Sequence, residues 1–139
     1  MPLPMEYQHA SDDFERFLAD ARERADLVTR NQTWTMVDAV LRVFRRRLTV
    51  ADGLRFAEVL PPLLRAMFVI DWDVGAAPVP FATREAMTAE VQAVRGNHNF
   101  APDKAIACVA AAVWAAVERA AFARVLAELP EGARDYWAE

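Results

Sequence analysis

Leu60-Pro61-Pro62-Leu63-Leu64-Arg65-Ala66-Met67-Phe68-Val69-Ile70-Asp71-Trp72 decides the fold, because a shortened echo of it, Leu129-Pro130-Glu131-Gly132-Ala133-Arg134-Asp135-Tyr136-Trp137, closes the chain. In both, Leu-Pro is followed by an arginine (Arg65, Arg134) and then by an aromatic residue (Phe68, Trp137). Prolines cannot donate the backbone hydrogen bond that a helix interior requires, yet they suit a helix first turn. Each copy therefore reads as a break between a long helix and a short one.

Working outward, Phe14, Phe17, Leu18, Ala21 and Ala25 make one apolar helical face. The helix that carries it should begin at Ser11 or Asp12, where Asp12 and Glu15 have capping-box spacing. Thr29 with Gln32, Thr49 with Asp52, and Thr83 mark three more helix starts. Residues 69–82 hold Gly75, Pro78 and Pro80 and read as a connector, packed down through Val69, Ile70, Trp72 and Phe81. Gly96 is expected as a left-handed stop and Pro102 in the first turn of the next helix, whose stripe is Ile106, Val109, Ala110, Val113, Trp114 and Val117.

Phe17 corresponds to Met87, Leu41 to Trp114 and Leu60 to Leu129. The expected architecture is all-α: a helical bundle built from two similar repeats, each with three long helices plus a short helix. Residues 1–10 form an N-terminal tail and 11–139 a single domain, with repeat one over about 11–68, the packed linker over 69–82 and repeat two over about 83–138. Two such units bury their apolar faces against each other.

The chain resembles the bacterial domain-of-unknown-function 2267 family over about residues 12–138. The resemblance is carried by Phe17-Leu18, Ala39-Val40-Leu41 with Arg47-Leu48, Leu60 to Arg65, Trp72-Asp73, and Leu129 to Trp137. The family's Gly-Glu pair before the last long helix of each copy is only approximated at Asp52-Gly53 and is missing at Ala120-Ala121, and Phe68 stands where a tyrosine is common. The resemblance implies an all-helical bundle and brings no established activity.

Composition narrows the function. At 139 residues and 55% hydrophobic, the chain suits one globular domain, and a net charge of -4 repels phosphate backbones and anionic membranes. Nucleic acid is thus a poor partner. The Ala105–Val117 window is too short to span a bilayer, the first residues lack a secretory pattern, and the single cysteine cannot form an internal disulfide; the cytoplasm is the expected location.

His9 and His98 stand alone, and the Asp71/Asp73 pair reads as a cap or an arginine partner, so no metal or cofactor is expected. Ser11 reads as a helix start and Cys108 as a small core residue, leaving no nucleophile with a base at hand. Arg42, Arg45, Arg46 and Arg47 read as a solvated face at a helix C-terminus. Arg65 and Arg134 are expected to bond carbonyls or an acidic partner where their short helices dock, and Trp72 and Trp137 to act as lids on the core.

The residues that could instead serve interaction are Arg65, Arg134, Trp72, Trp137, Arg42, Arg45 and Arg46. The reading favoured is a non-enzymatic scaffold or interaction protein that binds a protein partner or itself, with no small molecule expected. The alternative is a regulator contacting an anionic ligand or nucleic acid through Arg42–Arg47.

Overall fold

The computed structural model describes residues 3–139. Among them every regular element is a helix: α1 (Met5–Gln8), α2 (Ala10–Arg24), α3 (Arg30–Arg45), α4 (Val50–Glu58), α5 (Pro62–Val69), α6 (Arg84–Ala93), α7 (Ala105–Ala116), α8 (Arg119–Glu128) and α9 (Ala133–Tyr136). Met1 and Pro2, part of the expected tail, lie outside the described residues. Residues 5–8 form a turn of helix that runs almost directly into α2.

Three threonines set helix starts. Thr29 Oγ1 accepts from the Gln32 amide at 3.1 Å while Gln32 Oε1 accepts from the Thr29 amide at 3.2 Å, a reciprocal capping box. Thr49 accepts from Asp52 N and Thr83 from Ala86 N, each at 3.1 Å. The capping box expected at Asp12 does not form; α2 starts at Ala10, behind His9, because α1 already supplies the preceding turn. Asp12 and Asp13 still lie in its first turn, where the helix dipole favours acids.

Two local expectations are corrected between α6 and α7. The left-handed residue is Arg95 (φ 52), not Gly96, and the orphan carbonyls of α6 are closed by a side chain. Asn99 Nδ2 donates to Val91 O at 2.6 Å and Val94 O at 2.8 Å, so no glycine stop is needed. Pro102 accepts the Ala105 amide at 3.0 Å from a turn ahead of α7 and does not sit inside that helix.

The helices pack in a definite pattern. α2 lies on α7 and α3 on α6; α2 also meets α3, and α6 meets α7. α3 touches α7, α4 touches α8, α5 packs beside α4, and α9 beside α8. At the centre the Trp137 ring lies 5.4 Å from both Phe44 and Phe56 and 6.0 Å from Phe122, with Tyr136 stacked 5.1 Å from Phe44. The Tyr136 hydroxyl donates to Val40 O at 2.7 Å, and burial pushes its pKa up. The chain's last aromatic pair is therefore bonded to its second long helix.

Candidate functional site

The Leu60–Pro61 break opens a wedge between α4 and α5, and the Val117–Glu118 break does the same between α7 and α8. With α2 as a third wall, these breaks enclose a groove of about 690 Å³. Its floor is Phe14, Phe17, Leu60, Leu64, Ala112 and Val117. The alanines of α7 matter here. Ala112, Ala115 and Ala116 have no side-chain bulk to fill the space that neighbouring Val109 and Val113 fill elsewhere in the core.

The rim carries Glu6, Asp13, Asp20, Glu58 and Glu118, against one basic residue, Arg16, which is already paired with Asp13 at 3.0 Å. Asp20 is paired with Arg24 at 2.8 Å, and Glu118 caps α8 by accepting from Ala121 N at 2.6 Å. Glu6 and Glu58 are exposed and make no side-chain hydrogen bond among the described residues. The groove thus combines an apolar floor with a surplus of negative charge. Its polar side chains are carboxylates and one guanidinium, an arrangement suited to holding a ligand.

The residues singled out by sequence are not gathered in this groove. Arg65 stands next to it and does what the structural reading expects: Nε donates to Ala57 O at 3.0 Å and an Nη to Leu60 O at 2.9 Å, closing the end of α4. Its other Nη donates to the Tyr7 hydroxyl at 3.2 Å, tying down the N-terminal turn. Arg134 does not match it. Its side chain is exposed and makes no hydrogen bond among the described residues, because α9 follows a left-handed Gly132 (φ 104) and has only four residues. The Asp135 carbonyl is taken instead by Arg84, at 2.7 Å.

Trp137 is fully buried, and its carbonyl accepts from Trp114 Nε1 at 2.6 Å. Trp72 is a half-buried lid lying so close to α4 that a Cβ on Gly53 would sit 2.1 Å from the ring. Phe81 covers Gly132 in the same way, at 2.6 Å. The connector is held by these two rings and by a bond from Val79 N to Arg46 O at 2.9 Å. Val69 and Ile70, expected to pack, are exposed.

A smaller hollow of about 290 Å³ brings Arg45, Arg46, Asp71, Trp72 and Asp73 together. Here the solvated-face reading of the arginines is corrected. Arg45 and Arg47 are only 7% and 5% exposed. Arg45 donates to Phe68 O and Ile70 O, each at 2.8 Å, at the negative end of α5, with its guanidinium 5.4 Å from the Trp72 ring centroid. Burial, then neighbouring Arg42, lowers its pKa.

Arg42 pairs with Asp38 at 3.0 Å and with Asp71 at 3.7 Å; Arg46 reaches Glu90 at 3.1 Å. Arg47 grips the same Glu90 with both ends of its fork, one contact at 2.9 Å, and this bond holds the carboxyl below the usual carboxylate range. Asp73 Oδ1 accepts from Gly75 N at 3.2 Å in a local turn. The cluster's charge is spent inside the protein.

The model of the family described as uncharacterized conserved protein (DUF2267) matches residues 14–136. The chain belongs to this family. In this DUF2267 protein the match takes in the floor of the groove, the arginine cluster and Trp72, and stops just before Trp137. No curated protein matches the chain. Among the described residues no helix is long and apolar enough to cross a membrane.

The groove itself is what sequence reading missed. Phe14, Leu60 and Leu64 are visible as apolar positions, but Glu58 and Glu118 look like ordinary surface charges. The one available signal is the run of alanines on α7, which marks a place where the core runs short of volume.

Proposed function

We propose that this protein is a non-enzymatic interaction module whose groove between α2, the α4–α5 break and the α7–α8 break receives a protein partner or a second copy of the chain. The observation that carries the reading is the groove's chemistry. Its lining presents Phe14, Val59, Leu63 and Val117 at least partly to solvent above the buried Phe17, Leu60, Leu64 and Ala112, and accessible apolar surface in a concave site marks a place where something docks. Buried side chains beneath it, the Arg65 bonds to the Ala57 and Leu60 carbonyls and the caps on α4 and α8 hold the walls in place, so little ordering cost falls on binding.

The scaffold is read as two similar units, α2–α5 and α6–α9. The support is the pairing pattern. α2 on α7 and α3 on α6 exchange under a twofold swap of the units, while α3 with α7 and α4 with α8 meet their own counterparts. The helices α4 and α8, equivalent on this reading, meet through Phe56 and Phe122, whose rings lie 5.6 Å apart. A cytoplasmic setting fits an acidic chain with one buried thiol.

The alternative, an anion or nucleic-acid regulator working through Arg42–Arg47, draws no support from a cluster in which Arg42, Arg46 and Arg47 are paired with Asp38, Asp71 and Glu90 and Arg45 is taken by the Phe68 and Ile70 carbonyls. The test places a photo-crosslinking residue at Leu63, on the groove, and at Arg95, away from it, in the full chain inside cells, alongside light scattering of the purified protein. Protein adducts or a dimer joined from Leu63 and absent from Arg95 are expected. A strict monomer with no adduct at Leu63 overturns the reading.

A further inference from the structure

Resting on that reading, we infer that the occupant of the groove is an amphipathic α-helix of a protein partner, apolar on one face and flanked by lysine or arginine. The helical form follows from the walls. They are helices whose backbone groups are already bonded internally, so the groove offers no sheet edge to extend an incoming strand. A segment entering an apolar floor must satisfy its own amides and carbonyls, and a helix does so.

Length follows from α2, which lines the groove from Ala10 to Asp20, about 15 Å of helix at 1.5 Å per residue. Three or four apolar side chains at i, i+4, i+7 and i+11 cover about that distance. The accessible apolar lining, Phe14, Val59, Leu63 and Val117, would receive them.

Charge follows from the rim. Glu6 and Glu58 are exposed without a cationic partner among the described residues, Glu118 uses one oxygen as a cap, and the only basic residue present is paired. Low-dielectric walls concentrate the field of these carboxylates in the cleft, favouring cations and repelling phosphates. The arginines Arg42 to Arg47, by contrast, keep their carboxylates to themselves.

The test uses a fluorescent helical peptide of about 15 residues with leucines at those spacings and flanking lysines, and a twin in which every lysine is glutamate. Anisotropy is read with the full chain, with a Glu6→Lys/Glu58→Lys variant and with Ala115→Trp, which fills the groove; circular dichroism melting shows that each variant is folded. The lysine peptide should bind more tightly than its twin and weaken with salt. The double reversal should weaken it about tenfold and shift preference toward the glutamate peptide, and Ala115→Trp should abolish binding.

Equal binding of both peptides, lost in Ala115→Trp, overturns the basic-helix inference while leaving a working docking groove. Binding of neither peptide, while Leu63 still crosslinks to a partner, overturns the inference alone. Binding of neither peptide without any adduct from Leu63 overturns the interaction reading as well.

Discussion

Leu60–Trp72 and Leu129–Trp137 look alike in sequence and do different work. In the first, the prolines end α4, Arg65 closes its carbonyls, and Pro61 and the exposed Leu63 stand on the wall of a groove while Leu60, Leu64 and Phe68 are buried. In the second, Tyr136 and Trp137 are drawn wholly into the aromatic centre, and the Arg134 side chain is exposed and unbonded among the described residues. The same motif thus borders a groove at one place and plugs the aromatic centre at the other. Similar local sequence sets similar local breaks, and burial by the surrounding helices decides what each break becomes.

The contrast can be broken at its ends. Trp137→Ala removes the ring that joins Phe44, Phe56 and Phe122, and should cost about 3–5 kcal/mol; Trp72→Ala, at a half-buried lid, should cost about 1 kcal/mol. Urea unfolding of both variants measures the difference, and equal losses would erase the distinction. Arg65→Ala leaves the Leu60 carbonyl without its donor and the Ala57 carbonyl with the Leu60 amide alone, and should cost about 1–3 kcal/mol. Arg134→Ala should stay within about 0.5 kcal/mol. Thermal melting of the pair decides it.

The close approach of Trp72 to α4 gives a sharper test of the first segment. Gly53→Ala should destabilise by about 1–3 kcal/mol because its Cβ meets the indole. Adding Trp72→Ala should remove most of that penalty, and a double-mutant cycle reads the coupling. If the penalties simply add, the ring does not rest on Gly53.

The smallest effect concerns the tie between α3 and α6. The hydrogen bond from Arg47 depresses the Glu90 pKa, so the folded state binds this proton less readily than the unfolded chain. Its stabilisation is present above the ordinary carboxylate pKa and fades as pH falls through that value toward the depressed one. Glu90→Gln should lower stability near neutral pH and flatten the acid limb of the urea midpoint against pH. A curve parallel to that of the parent protein would contradict the assignment.

Much of the fold was legible because its signals are local. Thr29, Thr49 and Thr83 announce helix starts through a side chain that reaches only three residues along, and Pro61 and Pro62 announce a break through a missing donor. Where a local signal had a competitor, reading failed: Asn99 replaced the glycine stop, and α1 displaced the cap at Asp12. The candidate site was harder. Glu90 lies 43 residues from Arg47, and nothing near Arg42–Arg47 in sequence reveals that carboxylates arrive from α6 and from Asp71 to neutralise them. The groove is a shortage of side-chain volume where three segments meet, so no single segment records it.

The most direct measurement is an amide chemical-shift titration of the full chain with the lysine-flanked helical peptide. Saturable shifts are expected at Phe14 and Phe17, at Leu60, Leu63 and Leu64 and at Ala115 to Glu118, with Ala133 to Trp137 and the Arg45–Trp72 hollow unmoved. Shifts centred on that hollow or on the closing segment, or no shifts at all, would contradict it.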